Sequence, residues 1–147
     1  MTAERATQHN AIAAPLDELL AIAKVASLHL VPTPSTHHLL NAQRLALMRP
    51  GSLLVNTSRA ALVDSAALVK ALEQGQPRFA ALDVFDMEPL PLDSPLRHLP
   101  NVLLTPHLGF VTEPVFKRFA TGVLECLDAW LTDQSLIRIV AKDKKIA

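Results

Sequence analysis

The chain has 147 residues, half of them hydrophobic, which is enough for one domain with a buried core and too few for two ordinary domains. Basic and acidic residues number 14 each, so no net charge steers the chain toward nucleic acid or an anionic membrane. The single cysteine, Cys126, excludes an internal disulfide, and no apolar run is long enough to span a bilayer. Because the first residues lack the apolar core of a signal peptide, we expect a cytoplasmic protein.

The first part of the chain predicts short helices followed by a buried strand. Residues 2–9 are polar and compatible with a helix, residues 11–14 form a weak apolar run that predicts a short strand, and Pro15 opens a helix that continues to residue 21. Residues 25–30 are a compact apolar run, which favours a buried strand. The two prolines in residues 31–34 end this strand, because proline excludes both helix and ladder pairing.

The rest of the chain alternates helices with strands. We expect helices over residues 41–48, 66–74 and 113–133, and strands over residues 52–56, 79–84 and 102–104. Asp64 or Ser65 can cap the second of these helices, and Gly75 supplies its left-handed end. Thr112 is the expected cap of the long last helix, and the four prolines between residues 89 and 100 predict an extended loop.

This alternation predicts right-handed crossovers and a parallel sheet, so the fold class is α/β. The strands are almost continuously apolar, which indicates a sheet covered on both faces. Ligands bind outside the carboxyl ends of the strands in such sheets. Five polar residues lie at or after predicted strand ends, and we expect the chemistry at this rim: Thr57, Arg59, Asp83, Glu88 and His107.

His107 is the first candidate at the rim, although six histidines are present and most must be ordinary surface residues. It follows Thr105-Pro106 and precedes Leu108-Gly109, where glycine permits the close approach of a ligand. A histidine there can exchange a proton near neutral pH. Glu88 is a solvated loop carboxylate in the simpler interpretation; if it reaches His107, it orients the ring and favours its protonated form.

Arg59 and Asp83 also have two interpretations each. Arg59 either makes a weak surface ion pair or uses its planar fork to hold a substrate carboxylate. Asp83 ends an apolar strand, where an unpaired carboxylate is costly to bury, so it needs a partner from the protein or from a ligand. His37 and His38 do not indicate a metal site, because adjacent helical residues face in different directions and no third ligand is suitably spaced.

Several motifs, in order, resemble the D-isomer-specific 2-hydroxyacid dehydrogenase family. The similarity extends over roughly residues 2–139. Several spaced motifs in the correct order are more specific than any one of them. The motifs are Val25-Ala26-Ser27-Leu28-His29-Leu30 with Pro34-Ser35-Thr36, residues 47–59, Leu62-Val63-Asp64, Ala81-Leu82-Asp83-Val84-Phe85 with Glu88-Pro89-Leu90, Ser94-Pro95-Leu96, Leu99-Pro100-Asn101-Val102, and Leu104-Thr105-Pro106-His107-Leu108-Gly109.

The resemblance implies a separate role for each residue of the rim. Arg59 would hold the substrate carboxylate, His107 would move the C2 hydroxyl proton, and Glu88 would pair with His107. Hydride would pass between NAD, or NADP, and C2 of a small 2-hydroxy or 2-keto acid. Asp83 is similar to the family residue that contacts the nicotinamide. The other implied cofactor contacts are at Leu30, Thr57, Ser58, Arg59, His107, Leu108, Gly109 and Phe110.

One part of the family pattern is missing from this sequence. Family members carry a G-x-G-x-x-G turn for the cofactor pyrophosphate and an acidic residue for its ribose, whereas this chain has only four dispersed glycines. The resemblance therefore implies a partial Rossmann-like domain over residues 1–134, lacking its first strands, with a C-terminal tail over residues 135–147. We expect a truncated chain that binds NAD weakly or not at all. Residues 25–30 would then form an edge strand, open to homo-oligomers or other association.

Two functional interpretations follow from this comparison. The first is a dehydrogenase with its catalytic residues in place but impaired in this chain. The second is a non-catalytic remnant or interaction module that docks on a full-length relative. The apolar spacing of the last helix is more often core than interface, so the second interpretation is secondary.

Overall fold

The computed structural model describes residues 2–139, which form two compact units, one ending at His107 and the other beginning at Leu108. The first unit is built on a parallel sheet of four strands in the order β1-β2-β3-β4. The strands are β1 (Val25–Leu28), β2 (Leu53–Asn56), β3 (Phe79–Leu82) and β4 (Val102–Leu104). This architecture confirms the predicted α/β class with a partial Rossmann-like parallel sheet.

Four helices and two 3₁₀ turns complete the first unit. They are α1 (Ala3–Gln8), α2 (Leu16–Ile22), α3 (Ala42–Leu47), α4 (Ser65–Glu73) and the 3₁₀ turns Ala60–Leu62 and Pro95–Arg97. Asp64 rather than Ser65 caps α4, because its carboxylate accepts the amide hydrogen of Ala67 at 2.9 Å. Gly75 follows the helix with a φ of 76°, which confirms the predicted left-handed end.

The hydrophobic core lies between one face of the sheet and the helices. Helix α2 packs on α3, and α3 packs on α4. The inward-facing strand residues are all buried: Ala26, Leu28, Leu54, Asn56, Ala80 and Leu82. Leu20, Leu45 and Leu68 join them from α2, α3 and α4. The helices that pack on this face therefore hold the strand ends in position.

The opposite face of the sheet corrects the expectation that both faces are covered. Val25, Phe79 and Leu103 point to this face and are 57%, 44% and 65% exposed. Each connection places the next strand beside the previous one in the same direction across the sheet. Right-handed crossovers that all run in one direction place their helices on one face of the sheet. Strand β1 lies at an edge of the sheet, as predicted for this segment.

Three local expectations were wrong. Residues 11–14 form no strand; this run is short, is followed by Pro15, and leaves Ile12 92% exposed. The proline-rich loop is not wholly extended, because Pro95 begins a 3₁₀ turn, a position where a proline costs no backbone hydrogen bond. The strands β1 and β3 are also two residues shorter than predicted. In both segments the apolar residues continue beyond the last residue that pairs with a neighbouring strand, so the apolar run overestimates the length of the strand.

The second unit is dominated by helix α5 (Glu113–Leu131), which confirms the predicted long helix. Thr112 is at the N-cap position, as predicted, but its side chain makes no capping hydrogen bond. The backbone carbonyl of Thr112 accepts from the amide of Phe116. No helix among residues 2–139 is long and apolar enough to cross a membrane. The predicted boundary at residue 134 stays a prediction, and the tail from residue 140 onward lies outside the described residues.

Ser52 provides a test of the core. It is fully buried beside β2, its backbone atoms are hydrogen-bonded, and its hydroxyl has no partner within the described structure. Because an unsatisfied buried hydroxyl retains its desolvation cost, Ser52→Ala should raise the free energy of unfolding by about 1 kcal/mol. Urea denaturation measures this change, with an unchanged dependence on denaturant. A clear loss of stability in the variant would contradict the assignment.

Candidate active site

Three neighbouring strands end at the same level of the sheet. Asn56 is in register with Leu82, and Leu82 is in register with Leu104. The residues that follow these positions are Thr57, Asp83 and Thr105. The predicted rim of polar residues is therefore formed by the ends of β2, β3 and β4.

Asp83 is the buried member of this rim, with only 3% of its surface exposed. The hydroxyl of Thr105 donates to Asp83 Oδ1 at 2.5 Å, and the Asp83 amide donates to the carbonyl of Asn56 at 3.0 Å. The Thr105 amide donates to the carbonyl of Leu82 at 3.0 Å. Asp83 therefore has the protein partner that a buried carboxylate requires.

Glu88 and His107 form a close pair after the ends of β3 and β4. His107 Nδ1 lies 2.7 Å from Glu88 Oε2, and the amide of Phe85 donates to Glu88 Oε1 at 2.9 Å. Both carboxylate oxygens are thus engaged. The backbone of His107 has a φ of 53°, in the left-handed region that side chains rarely adopt, and its amide donates to the Thr105 carbonyl at 3.0 Å. Strained residues of this kind concentrate at functional sites.

The electrostatics of the pair favour an ionised Glu88. The hydrogen bond from His107 lowers the pKa of Glu88 below its ordinary value, and the amide of Phe85 lowers it further. Desolvation and the negative charge of Asp83 act in the opposite direction but do not reverse the shift. Because an ionised carboxylate only accepts hydrogen bonds, His107 must donate from Nδ1. Glu88 therefore fixes the orientation of the imidazole ring.

A cleft of about 520 Å³ opens beside this pair. This volume is within the usual range for small-molecule sites. Its wall is mostly apolar and is formed by Phe85, Glu88, Pro89, Leu90, Arg97, Leu104, Thr105, Pro106 and His107. The arrangement offers a proton-exchanging group at the edge of an apolar cleft.

Arg59 lies elsewhere on the rim. Its side chain is exposed, its Nη1 donates to the Ser58 carbonyl at 2.7 Å, and it is absent from the residues that line the cleft. The structure brings Glu88 and His107 together but does not place Arg59 in their cleft. The predicted role of Arg59 in holding a carboxylate stays a prediction.

The remaining predicted cofactor residues fall into two groups. Ser58 donates from its hydroxyl to the Leu30 carbonyl at 2.5 Å, which joins the segments that follow β2 and β1, and Thr57 beside it is exposed. Residues 108–110 begin the second compact unit. The cofactor contacts predicted for both groups stay predictions.

Two residues of the rim were missed by the sequence analysis. Asn56 is only 2% exposed; its Nδ2 donates to the Arg59 carbonyl at 2.9 Å, and its Oδ1 accepts from the Ser58 amide at 3.1 Å. Thr105 was noted only as part of the segment before His107, whereas its hydroxyl holds Asp83. The available signal was a polar side chain at the end of an apolar strand, where burial demands a hydrogen-bond partner.

The rim can be compared with the needs of a nicotinamide cofactor. An ionised carboxylate such as Asp83 accepts N–H donors, which is the chemistry that a nicotinamide carboxamide offers; the cofactor role of Asp83 stays a prediction. The 147 residues of the sequence contain no G-x-G-x-x-G turn, and their four glycines are dispersed.

Known proteins match this combination of sheet and rim. The parallel sheet with polar residues at its carboxyl ends is the arrangement found in nucleotide-binding α/β proteins of the Rossmann type. Residues 1–109 match the model of the family described as D-isomer specific 2-hydroxyacid dehydrogenase, NAD binding domain. The match covers well over half of the chain, so the chain belongs to this family.

Individual relatives agree with the family match. The chain is 42% identical over 132 residues to a glyoxylate/hydroxypyruvate reductase B from Pectobacterium atrosepticum, covering 90% of this chain but 41% of that relative. The crystal structure of the TT0316 protein from Thermus thermophilus is 47% identical, with a TM-score of 0.78, over 86% of this chain and 40% of that one. A D-isomer specific 2-hydroxyacid dehydrogenase from Xanthobacter autotrophicus, solved with NADPH and MES, is 37% identical, with a TM-score of 0.67, over 86% and 51%.

The pKa of Glu88 gives a second test. Because it is lowered in the folded chain, the contact with His107 stabilises the fold above about pH 4.5, the ordinary value for Glu88, and this contribution is lost as the pH falls through the lower folded value. In His107→Ala, the titration midpoint of Glu88 should rise toward 4.5, because the largest cause of the shift is gone. Carboxyl-carbon NMR measures both midpoints. Identical midpoints in the two proteins would disprove the pairing in solution.

Proposed function

We propose that this chain carries the acid–base residues of an oxidoreductase that transfers hydride between NAD and C2 of a small 2-hydroxy or 2-keto acid. The observation that carries the proposal is the Glu88–His107 contact of 2.7 Å beside a cleft of about 520 Å³. Membership of the 2-hydroxyacid dehydrogenase family supports it. The chain spans about 41% of the reductase it resembles, so the activity of a whole dehydrogenase is part of the proposal.

His107 is the proposed general acid and base. Glu88 accepts a hydrogen bond from the Nδ1–H of His107, so the proton that is exchanged with substrate would be carried at Nε2 on the other edge of the ring. During oxidation of a 2-hydroxy acid, His107 takes the C2 hydroxyl proton, and the Glu88 carboxylate stabilises the imidazolium that forms. During reduction of a 2-keto acid, the same atom returns the proton.

Arg59 and Asp83 are the proposed binding residues. The planar guanidinium of Arg59 is suited to a substrate carboxylate held by two hydrogen bonds. Asp83 would accept a hydrogen bond from the carboxamide of the nicotinamide. When bound, the nicotinamide supplies the hydride acceptor or donor, and NADP is an alternative cofactor because a relative was solved with NADPH. The relative's name, glyoxylate/hydroxypyruvate reductase, favours small 2-keto acids as substrates.

Association with other chains is a second part of the proposal. Strand β1 lies at the edge of the described sheet, and Val25 on its exposed face is 57% exposed. Edge strands present unpaired backbone groups that can receive another strand. We therefore propose homo-oligomer formation, or pairing with another chain, through this edge.

Replacement of His107 tests the proposed chemistry. With NADH and glyoxylate or hydroxypyruvate at millimolar concentration, His107→Ala should lower kcat by about 10²–10⁴-fold, because the proton transfer loses its catalyst. The cofactor is used at millimolar concentration because we expect this chain to bind NAD weakly. Initial rates of NADH oxidation measure the effect.

His98→Ala is the matched control, because His98 is exposed and does not line the cleft. Its rate should equal that of the unmodified chain. Equal rates in His107→Ala and His98→Ala would contradict the role of His107.

A further inference from the structure

Asn56 is buried, as Asp83 is, and both ends of its side-chain amide are hydrogen-bonded to the same loop. Only 2% of its surface is exposed. Its Nδ2 donates to the carbonyl of Arg59 at 2.9 Å, while its Oδ1 accepts from the amide of Ser58 at 3.1 Å. The Asn56 side chain therefore holds the amide of Ser58 and the carbonyl of Arg59 at the same time.

The same residue is also tied to the next strand. The backbone carbonyl of Asn56 accepts from the amide of Asp83 at 3.0 Å. This bond connects Asn56, which holds the Arg59 loop, to the strand end that carries Asp83. Arg59 itself has extended backbone, with φ −150° and ψ 143°, immediately before the 3₁₀ turn Ala60–Leu62. Its Cα–Cβ direction depends on a carbonyl that Asn56 holds in place.

We infer that Asn56 is a positioning residue that holds Arg59 in the orientation in which its guanidinium receives the carboxylate of a 2-keto acid. This inference rests on the proposed function and deepens it. Two-pronged recognition of a carboxylate requires an alignment of about 0.5 Å and 10–20°, which a long exposed arginine does not achieve without a fixed backbone. Asn56 supplies this fixed backbone without touching the substrate.

Two substitutions separate the two hydrogen bonds of the Asn56 side chain. Asn56→Asp keeps an oxygen for the Ser58 amide but has no N–H for the Arg59 carbonyl. Asn56→Leu has a similar volume, introduces no buried charge and removes both bonds. Ser52→Ala is the matched control, because Ser52 is buried beside the other end of β2 and makes no side-chain hydrogen bond in the described structure.

The experiment titrates each protein with oxamate, an unreactive analogue of a 2-keto acid, and separately with nicotinamide mononucleotide, the nicotinamide half of the cofactor. NMR follows the side-chain Nε–H of Arg59 and the amide of Asp83. We expect oxamate to shift the Arg59 signal, and we expect both Asn56 variants to raise the Kd for oxamate about tenfold, the effect of losing one hydrogen-bonded alignment. Their Kd for nicotinamide mononucleotide, and both constants of Ser52→Ala, should stay within about twofold of the unmodified chain.

A purely structural role would weaken both ligands together, so equal losses for oxamate and nicotinamide mononucleotide would overturn the inference. An unchanged oxamate Kd in Asn56→Asp would also overturn it, because that variant loses the Arg59 contact. If oxamate fails to shift Arg59 in the unmodified chain, the proposed carboxylate site is itself wrong. The turnover of His107→Ala tests the acid–base proposal separately.

Discussion

The carboxylate of Asp83 is buried where β3 ends, and its hydrogen bond from Thr105 is the interaction on which the rim depends. An unpaired buried carboxylate costs several kcal/mol or neutralises itself, whereas a hydroxyl donor keeps it in place. This bond crosses from β3 to β4, and the Asp83 amide crosses to Asn56 on β2. The segment after β4 carries His107 and, through it, the contact with Glu88. The position of His107, and with it the contact with Glu88, therefore depends on the strand ends.

The strand order imposes a second constraint. All three connections move in the same direction across the sheet, so the crossover helices α3 and α4 lie on one face, where α2 packs on α3, and β1 is left at an edge. A parallel sheet is ordinarily covered on both faces. Val25, Phe79 and Leu103 on the second face remain exposed in the described chain. The chain also covers only about 41% of the reductase it resembles.

Most of this fold follows from local sequence patterns. Apolar runs predicted β1 to β4. Asp64 or Ser65, together with Gly75, predicted the limits of α4, because capping and left-handed turns depend on single residue types. Residues 11–14 misled the prediction because four small apolar residues carry no information about whether a partner strand exists. The coverage of the sheet faces could not be predicted either, since it depends on the direction of successive crossovers.

The candidate site was predictable to a different extent. Glu88 and His107 were predicted to meet, and their contact is present because both follow neighbouring strands. The sequence indicated that Asp83 needs a hydrogen-bond partner because it would be buried. It could not identify that partner, because only the register of the sheet brings β3 and β4 side by side. The position of Asn56 at the end of an apolar strand indicated that it needs hydrogen-bond partners, but the sequence could not identify them, because they depend on the path of the loop after β2.

A double-mutant cycle between Asn56→Leu and Thr105→Val tests most directly whether the strand ends form one hydrogen-bonded frame. The Thr105 hydroxyl binds the Asp83 carboxylate, whereas the Asn56 side chain holds the loop after β2 and only the Asn56 backbone carbonyl accepts from the Asp83 amide. Urea denaturation gives the free energy of unfolding of each variant and of the double variant. A shared frame predicts a coupling free energy of at least about 0.5 kcal/mol, because the first substitution releases part of what the second would disrupt. Additive effects would show that the strand ends act independently and would contradict the account.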